Sequence, residues 1–129
     1  MARSFIWTSR GRRILVIDDD ENFRRGLAEN LRDDGYAVQE YAAAGEVPPQ
    51  LSGIELVITD YLMAGENGLT FARRFHAVHP SVPVVMITAH ITPEVEKEAA
   101  AGFICVLHKP VRYERVQRLV EHLAGHNAS

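Results

Sequence analysis

The sequence has a single cysteine, Cys105, and no apolar run approaches the roughly 20 residues that a membrane helix requires. One cysteine cannot form an internal disulfide, so a disulfide-stabilised fold is excluded and a reducing compartment, the cytoplasm, is expected. Cys105 lies in a predicted strand, where we expect a small core residue. The apolar stretch Phe5–Trp7 is too short for the core of a secretory signal. We therefore expect no membrane contact.

Acidic residues are missing from positions 1–13, whereas the rest of the chain holds ten basic and seventeen acidic residues. Four arginines lie in that first stretch: Arg3, Arg10, Arg12 and Arg13. Such an arm can contact nucleic acid or anionic lipid, but a frayed soluble terminus is the favoured interpretation. The acidic body lacks the basic face that duplex DNA requires, so no direct nucleic-acid binding is expected. We predict a disordered basic extension at 1–12, one domain at 13–125 and a tail at 126–129.

Strand and helix patterns alternate from residue 14 onward. Short apolar runs predict five buried strands, at Ile14–Ile17, Ala37–Tyr41, Leu56–Thr59, Val84–Ile87 and Ile104–His108. Apolar residues spaced three or four apart predict helices between the strands, with stripes such as Phe23, Leu27 and Leu31, or Phe71, Ala72, Phe75 and Val78. Pro48 and Pro49 shorten or displace the second of five helices. The alternation predicts a doubly wound five-stranded parallel sheet with helices on both faces, of the flavodoxin-like type.

Polar side chains follow four of these strands. Asp18 and Asp19 follow the first strand and Asp60 the third, whereas Thr88 ends the fourth and Lys109 the fifth. The carboxyl ends of parallel strands meet at one edge of a sheet, so these side chains are expected to converge. Taken singly, the acids could cap helices, the threonine could pack in its strand and the lysine could be solvated. Together they indicate a site for Mg2+ and a phosphoryl group.

The set Asp18-Asp19, Asp60, Thr88-Ala89 and Lys109-Pro110 resembles the receiver domain of two-component response regulators, over about residues 13–125. The resemblance implies that Asp60 accepts a phosphoryl group from a sensor histidine kinase or a phosphotransfer protein. It also implies a Mg2+ site formed by the side chains of Asp19 and Asp60, by Asp18 through water and by the carbonyl of Leu62. Around the phosphoryl group, it implies that Lys109 pairs with the group and that Thr88 moves to bond it. The residues that border the group are Leu62, Ala89 and His90.

The resemblance further implies a switch rather than an enzyme acting on other substrates. Phosphorylation would change the binding of an output partner or convert a monomer into a dimer. Two positions depart from the usual receiver pattern, since Ala64 replaces a common proline and Val106 replaces the aromatic residue that in many members swings inward. These departures affect the output rather than the phosphorylation residues. We expect output through the Pro93–Ala101 helix, the fifth strand and the last helix.

Two other functions remain open at the level of sequence. A receiver-like protein that binds partners without phosphorylation would have lost a key acid or the lysine, and none is lost here. A metal-dependent phosphohydrolase also uses an aspartate after a strand, but it needs a second acid two residues later, where this chain has Leu62. Incubation with a phosphodonor and Mg2+ separates the three functions, as stoichiometric acyl phosphate, turnover or no reaction.

Overall fold

Five parallel strands form one sheet in the computed structural model, which describes residues 13–125. The strands are β1 (Arg13–Ile17), β2 (Ala37–Tyr41), β3 (Ile54–Thr59), β4 (Val84–Thr88) and β5 (Cys105–His108). Their order across the sheet is β2-β1-β3-β4-β5, and each pairs in parallel with its neighbours. The central strands β1, β3 and β4 are almost wholly buried, as continuous apolar runs predict. The predicted doubly wound parallel sheet is confirmed.

Residues 13–125 contain four α-helices, of which three connect strands and the fourth follows β5; local capping residues fix where the first three begin. They are α1 (Glu21–Asp33), α2 (Gly68–Val78), α3 (Pro93–Ala101) and α4 (Tyr113–Val120), the last continuing as a π-helical turn at Glu121–Gly125. Asp20 accepts a hydrogen bond from the N–H of Phe23 at 3.1 Å, Asn67 from that of Thr70 at 2.9 Å, and Thr92 from that of Val95 at 3.2 Å. These side chains satisfy N–H groups that have no partner within the helix.

Two hydrophobic cores lie on opposite faces of the sheet. The first joins α2 and α3 to the sheet through residues such as Phe71, Phe75 and Val95. The second joins α1 and α4 to the other face through Leu31 and Val116, among others. Packing on both faces holds the sheet rigid, so its carboxyl edge forms a fixed platform.

One expectation was confirmed and two were wrong in detail. The second of the five predicted helices is shortened, as expected, to a 3-10 turn at Ala44–Glu46, because Pro48 and Pro49 follow closely and cannot continue it. Cys105 does lie in β5, but it is exposed rather than part of the core, because β5 is an edge strand that pairs, within residues 13–125, with β4 alone. Val78, predicted on the apolar stripe, is 49% exposed at the end of α2.

The predicted basic extension at 1–12 and tail at 126–129 lie outside the described residues. Between residues 13 and 125, no helix has both the length and the apolar character needed to cross a bilayer.

Candidate functional site at the carboxyl edge of the sheet

The loop after β1 presents the first two acids. Asp18 is 2% exposed, and both of its carboxylate oxygens are occupied. Oδ1 accepts from the main-chain N–H of Asp20 at 2.9 Å, and Oδ2 accepts from Lys109 Nζ at 2.8 Å. Asp19, the next residue, is exposed. Three acids follow the buried strand β1, and the fold gives each a different environment: Asp18 is buried, Asp19 is exposed and Asp20 caps α1.

Asp60 stands at the end of β3, beside the β1 loop. Its main-chain N–H donates to the carbonyl of Ile17 at 3.0 Å, which ties the two strand ends together. Its carboxylate accepts from the N–H of Tyr61 at 2.6 Å and from Lys109 Nζ at 3.2 Å. Gly68, the first residue of α2, packs so closely on Asp60 that a Cβ there would lie 2.1 Å from the Asp60 carbonyl oxygen. The helix therefore begins directly against the backbone of Asp60.

Lys109 reaches the same place from the end of β5, and its ammonium joins Asp18 to Asp60. The bond between Lys109 and Pro110 is cis. The ammonium also lies 4.2 Å from the ring centroid of Phe23, in a cation–π contact. One ammonium thus contacts two carboxylates and one aromatic face.

Burial and neighbouring charges shift the pKa values of Asp18 and Lys109. Loss of hydration is the largest influence on Asp18 and raises the pKa of its carboxyl; the charge of Asp60 acts in the same direction, against the hydrogen bonds from Lys109 and Asp20. Burial alone would lower the pKa of Lys109, but its hydrogen bond to Asp18 and the charges of both aspartates outweigh burial and raise it. The lysine stays charged, and within residues 13–125 it is the one cationic side chain in an ion pair with these acids.

The three acids can therefore hold a divalent cation. Oxygen atoms of Asp18, Asp19 and Asp60 all lie within 4.8 Å of one another. Carboxylate oxygens with room for water are the donors that Mg2+ prefers, and a divalent charge would offset their mutual repulsion. The donor set fits the predicted metal.

The remaining predicted residues surround this cluster. Thr88 is fully buried at the end of β4, and its hydroxyl accepts from the main-chain N–H of His90 at 3.1 Å. Its carbonyl accepts from the N–H of Lys109 at 2.9 Å, which joins the ends of β4 and β5. Ala89 and His90 are exposed in the loop after β4, and Leu62 is 48% exposed in the loop after β3. All the predicted site residues lie at, or in loops that leave, the same edge of the sheet.

Sequence reasoning missed three residues of the site. Phe23 was assigned only to the apolar stripe of α1, although it also faces Lys109. Gly68 was not singled out, although α2 begins there against the backbone of Asp60. Arg24 was not singled out, yet its guanidinium donates to the carbonyl oxygen of Asp18 at 2.9 Å. For Phe23 and Arg24 the available signal was spacing, since both lie in the first turn of a helix that begins next to the acids.

Fold and site together define an α/β protein with an acidic, lysine-bridged site at the carboxyl edge of a parallel sheet. The family model of the response regulator receiver domain matches residues 14–121. The chain belongs to that family, the receiver domains of two-component response regulators.

Named relatives agree with this assignment. The chain is 31% identical over 118 residues to the transcriptional regulatory protein ZraR of Salmonella typhimurium, a match that covers 88% of this chain and 26% of ZraR. It therefore spans about a quarter of that curated relative. A two-component response regulator from Clostridium difficile has the same fold, with a TM-score of 0.82 at 19% identity, covering 91% of this chain and 98% of that one. The beryllofluoride-activated NtrC4 receiver domain dimer matches with a TM-score of 0.77 at 23% identity, covering 89% and 98%.

Proposed function

We propose that this receiver accepts a phosphoryl group on Asp60 from a sensor histidine kinase or a phosphotransfer protein, in a reaction that requires Mg2+. One observation carries the proposal: Lys109 Nζ donates to both Asp18 and Asp60, at 2.8 and 3.2 Å, beside three clustered carboxylates. This arrangement places the Asp60 carboxylate next to a cation held at a fixed position, and attack on a phosphoryl group needs such a nucleophile and such a charge.

The transfer itself uses groups of this chain. A carboxylate oxygen of Asp60 attacks the phosphorus, and a new O–P bond forms while the P–N bond of the donor phosphohistidine breaks and its electron pair stays on the imidazole. Lys109 neutralises charge on the incoming phosphoryl oxygens, and the N–H groups of Ala89 and His90 border them. Mg2+, held by Asp19 and Asp60, by Asp18 through water and by the Leu62 carbonyl, would supply further charge neutralisation.

Output is proposed to follow from Thr88. Its hydroxyl now accepts from the N–H of His90, and turning toward a phosphoryl oxygen would exchange that contact and pull the loop that leads into α3. Val106 is too small to act as the aromatic rotamer of other receivers. Packing of Ile91, Val95 and Val106 is the proposed bistable element, and the faces of α3, β5 and α4 are the proposed output surface.

The partners of that surface belong to the same proposal. One matched relative is named a transcriptional regulatory protein and a matched structure is an activated receiver dimer. By analogy, phosphorylation of this chain would change its contact with an output partner or with a second copy of itself. The chain is proposed to catalyse only its own phosphorylation and dephosphorylation. It is not proposed to act on other substrates.

The decisive experiment is intact-mass measurement after treatment with acetyl phosphate and Mg2+. The wild type should gain one phosphoryl group, and Asp60→Asn should gain none. Asp33→Asn, which changes an exposed aspartate at the end of α1, is the matched control and should behave as the wild type. An undiminished gain in Asp60→Asn would refute the phosphoacceptor, and continuous release of phosphate would indicate a hydrolase.

A further inference from the structure

Arg24 forms a bridge between the acidic loop and the neighbouring strand β2. Its Nη1 donates to the carbonyl oxygen of Asp18 at 2.9 Å, and its Nε donates to Glu40 Oε1 at 3.1 Å. The side chains of Arg24 and Glu40 are only 13% and 21% exposed, so this ion pair is better shielded from water than an ordinary surface pair. A planar guanidinium makes two such contacts in fixed directions at once.

Glu40 is itself held in place on its other oxygen. Arg32 donates from Nη1 to Glu40 Oε2 at 3.1 Å and from Nη2 to the carbonyl of Val38 at 2.9 Å. The Glu40 carboxylate is therefore held by Arg32 independently of its ion pair with Arg24. The anchor for Arg24 is a residue of the sheet rather than a mobile surface acid.

Residues at the end of β2 hold both main-chain polar groups of Asp18, its N–H and its carbonyl. The N–H of Asp18 donates to the carbonyl of Tyr41 at 3.0 Å. The carbonyl of Asp18 accepts from Arg24, whose guanidinium is paired with Glu40, the residue before Tyr41. That carbonyl belongs to the peptide unit that leads into Asp19. The Cα of Asp19 is attached to that peptide unit, so the orientation of the unit decides from where the Asp19 side chain extends toward the other two acids; its carboxylate oxygen lies within 4.8 Å of those of Asp18 and Asp60.

We propose that Arg24, anchored by Glu40, is a positioning residue that orients the Asp18–Asp19 peptide unit so that Asp19 faces the cation. The proposal rests on the proposed function, because it assigns Mg2+ to the acids. Groups that hold metal ligands in place typically contribute tenfold or more to metal affinity. No titration or movement is involved, only the orientation of a peptide plane.

Positioning and charge predict opposite results for this residue. Removing a positive charge near three carboxylates should by itself strengthen cation binding. Losing the contact to the Asp18 carbonyl should weaken it. Weaker binding in a variant that lacks the arginine therefore cannot come from charge.

The experiment is a calorimetric Mg2+ titration of the unphosphorylated full chain, with amide NMR shifts as a second readout. Arg24→Gln should raise the Kd for Mg2+ about tenfold, and Arg24→Lys should not restore it, because a single ammonium lacks the two fixed donors. Thermal melting should show that both variants remain folded.

A matched control and a test of the anchor lie on the same helix. Arg25→Gln removes the same charge one residue away, at a side chain that is 66% exposed and pairs with Glu21, so its Kd should stay within about twofold of the wild type. Arg32→Gln breaks the ion pair that holds Glu40 on its other oxygen, so it should raise the Kd in the same direction as Arg24→Gln but by less.

Unchanged or tighter Mg2+ binding in Arg24→Gln, or full restoration by Arg24→Lys, would overturn the positioning role. That failure is distinct from failure of the proposed function. A wild type that binds Mg2+ more tightly than Arg24→Gln, yet takes no phosphoryl group on Asp60, would leave the positioning role standing and refute the phosphoacceptor.

Discussion

Replacing Gly68 by alanine should destabilise the protein by opening the contact between α2 and Asp60. A Cβ at position 68 would lie 2.1 Å from the carbonyl oxygen of Asp60 and 3.1 Å from the Tyr61 Cα, whereas ordinary contacts are 3.4–4 Å. The obstructing atoms are backbone, so they cannot turn away as a flexible side chain would. Either the start of α2 or the Asp60 peptide must shift by about 1 Å, at the expense of packing.

The structure also resists that shift, because the N–H of Gly68 donates to the carbonyl of Tyr61 at 2.8 Å and Asn67 caps the helix. Overpacking of this kind costs about 1–3 kcal/mol of unfolding free energy. For a domain of this size, that corresponds to a fall in Tm of about 4 °C per kcal/mol. Displacement of Asp60 should also slow its phosphorylation.

Gly26 provides the matched control for this substitution. It lies inside α1, and a Cβ there would meet no atom within 4 Å. Gly26→Ala should therefore raise the unfolding free energy by about 0.5–1 kcal/mol, through reduced freedom of the unfolded chain. Urea denaturation of both variants gives opposite signs if the reasoning holds. Equal or greater stability in Gly68→Ala than in the wild type would refute the close approach of α2 to Asp60.

Three further results are expected. Leu62→Asn should speed loss of the phosphoryl group roughly tenfold, because an amide can orient the attacking water by hydrogen bonding and leucine cannot. Equal decay rates in the wild type, Leu62→Asn and His90→Ala would contradict this. Beryllofluoride with Mg2+ should shift amide resonances mainly at residues 88–110, and shifts confined to residues 60–68 would exclude output through Thr88. Burial and the 2.6 Å hydrogen bond to Asp34 raise the pKa of Tyr113 above its usual 10.0, so the folded protein holds that proton more tightly than the unfolded chain. Urea denaturation should therefore show constant stability from Tyr113 up to about pH 10 and a fall above it, and Tyr113→Phe should flatten that fall.

The sequence alone determined the strands and the residues at their carboxyl ends. Runs such as Leu56–Thr59 are short, continuous and apolar, so they predict buried strands whatever surrounds them. The parallel arrangement then places Asp18, Asp60 and Lys109 at one edge, because alternating helices return every strand in the same direction. The shortening at Pro48 was also visible, because proline acts on the residues beside it.

The tertiary structure alone decided which surroundings each residue meets. Cys105 is exposed because strand order puts β5 at the edge, and no local pattern distinguishes an edge strand from a central one. Gly68 is needed because α2 begins against the Asp60 backbone, a contact that no spacing encodes. Arg24 looks like any helix-surface arginine until β2 brings Glu40, sixteen residues away, to its guanidinium. Apolar periodicity is a local property of the chain, whereas the partner of a polar side chain depends on strands that meet only in the folded sheet.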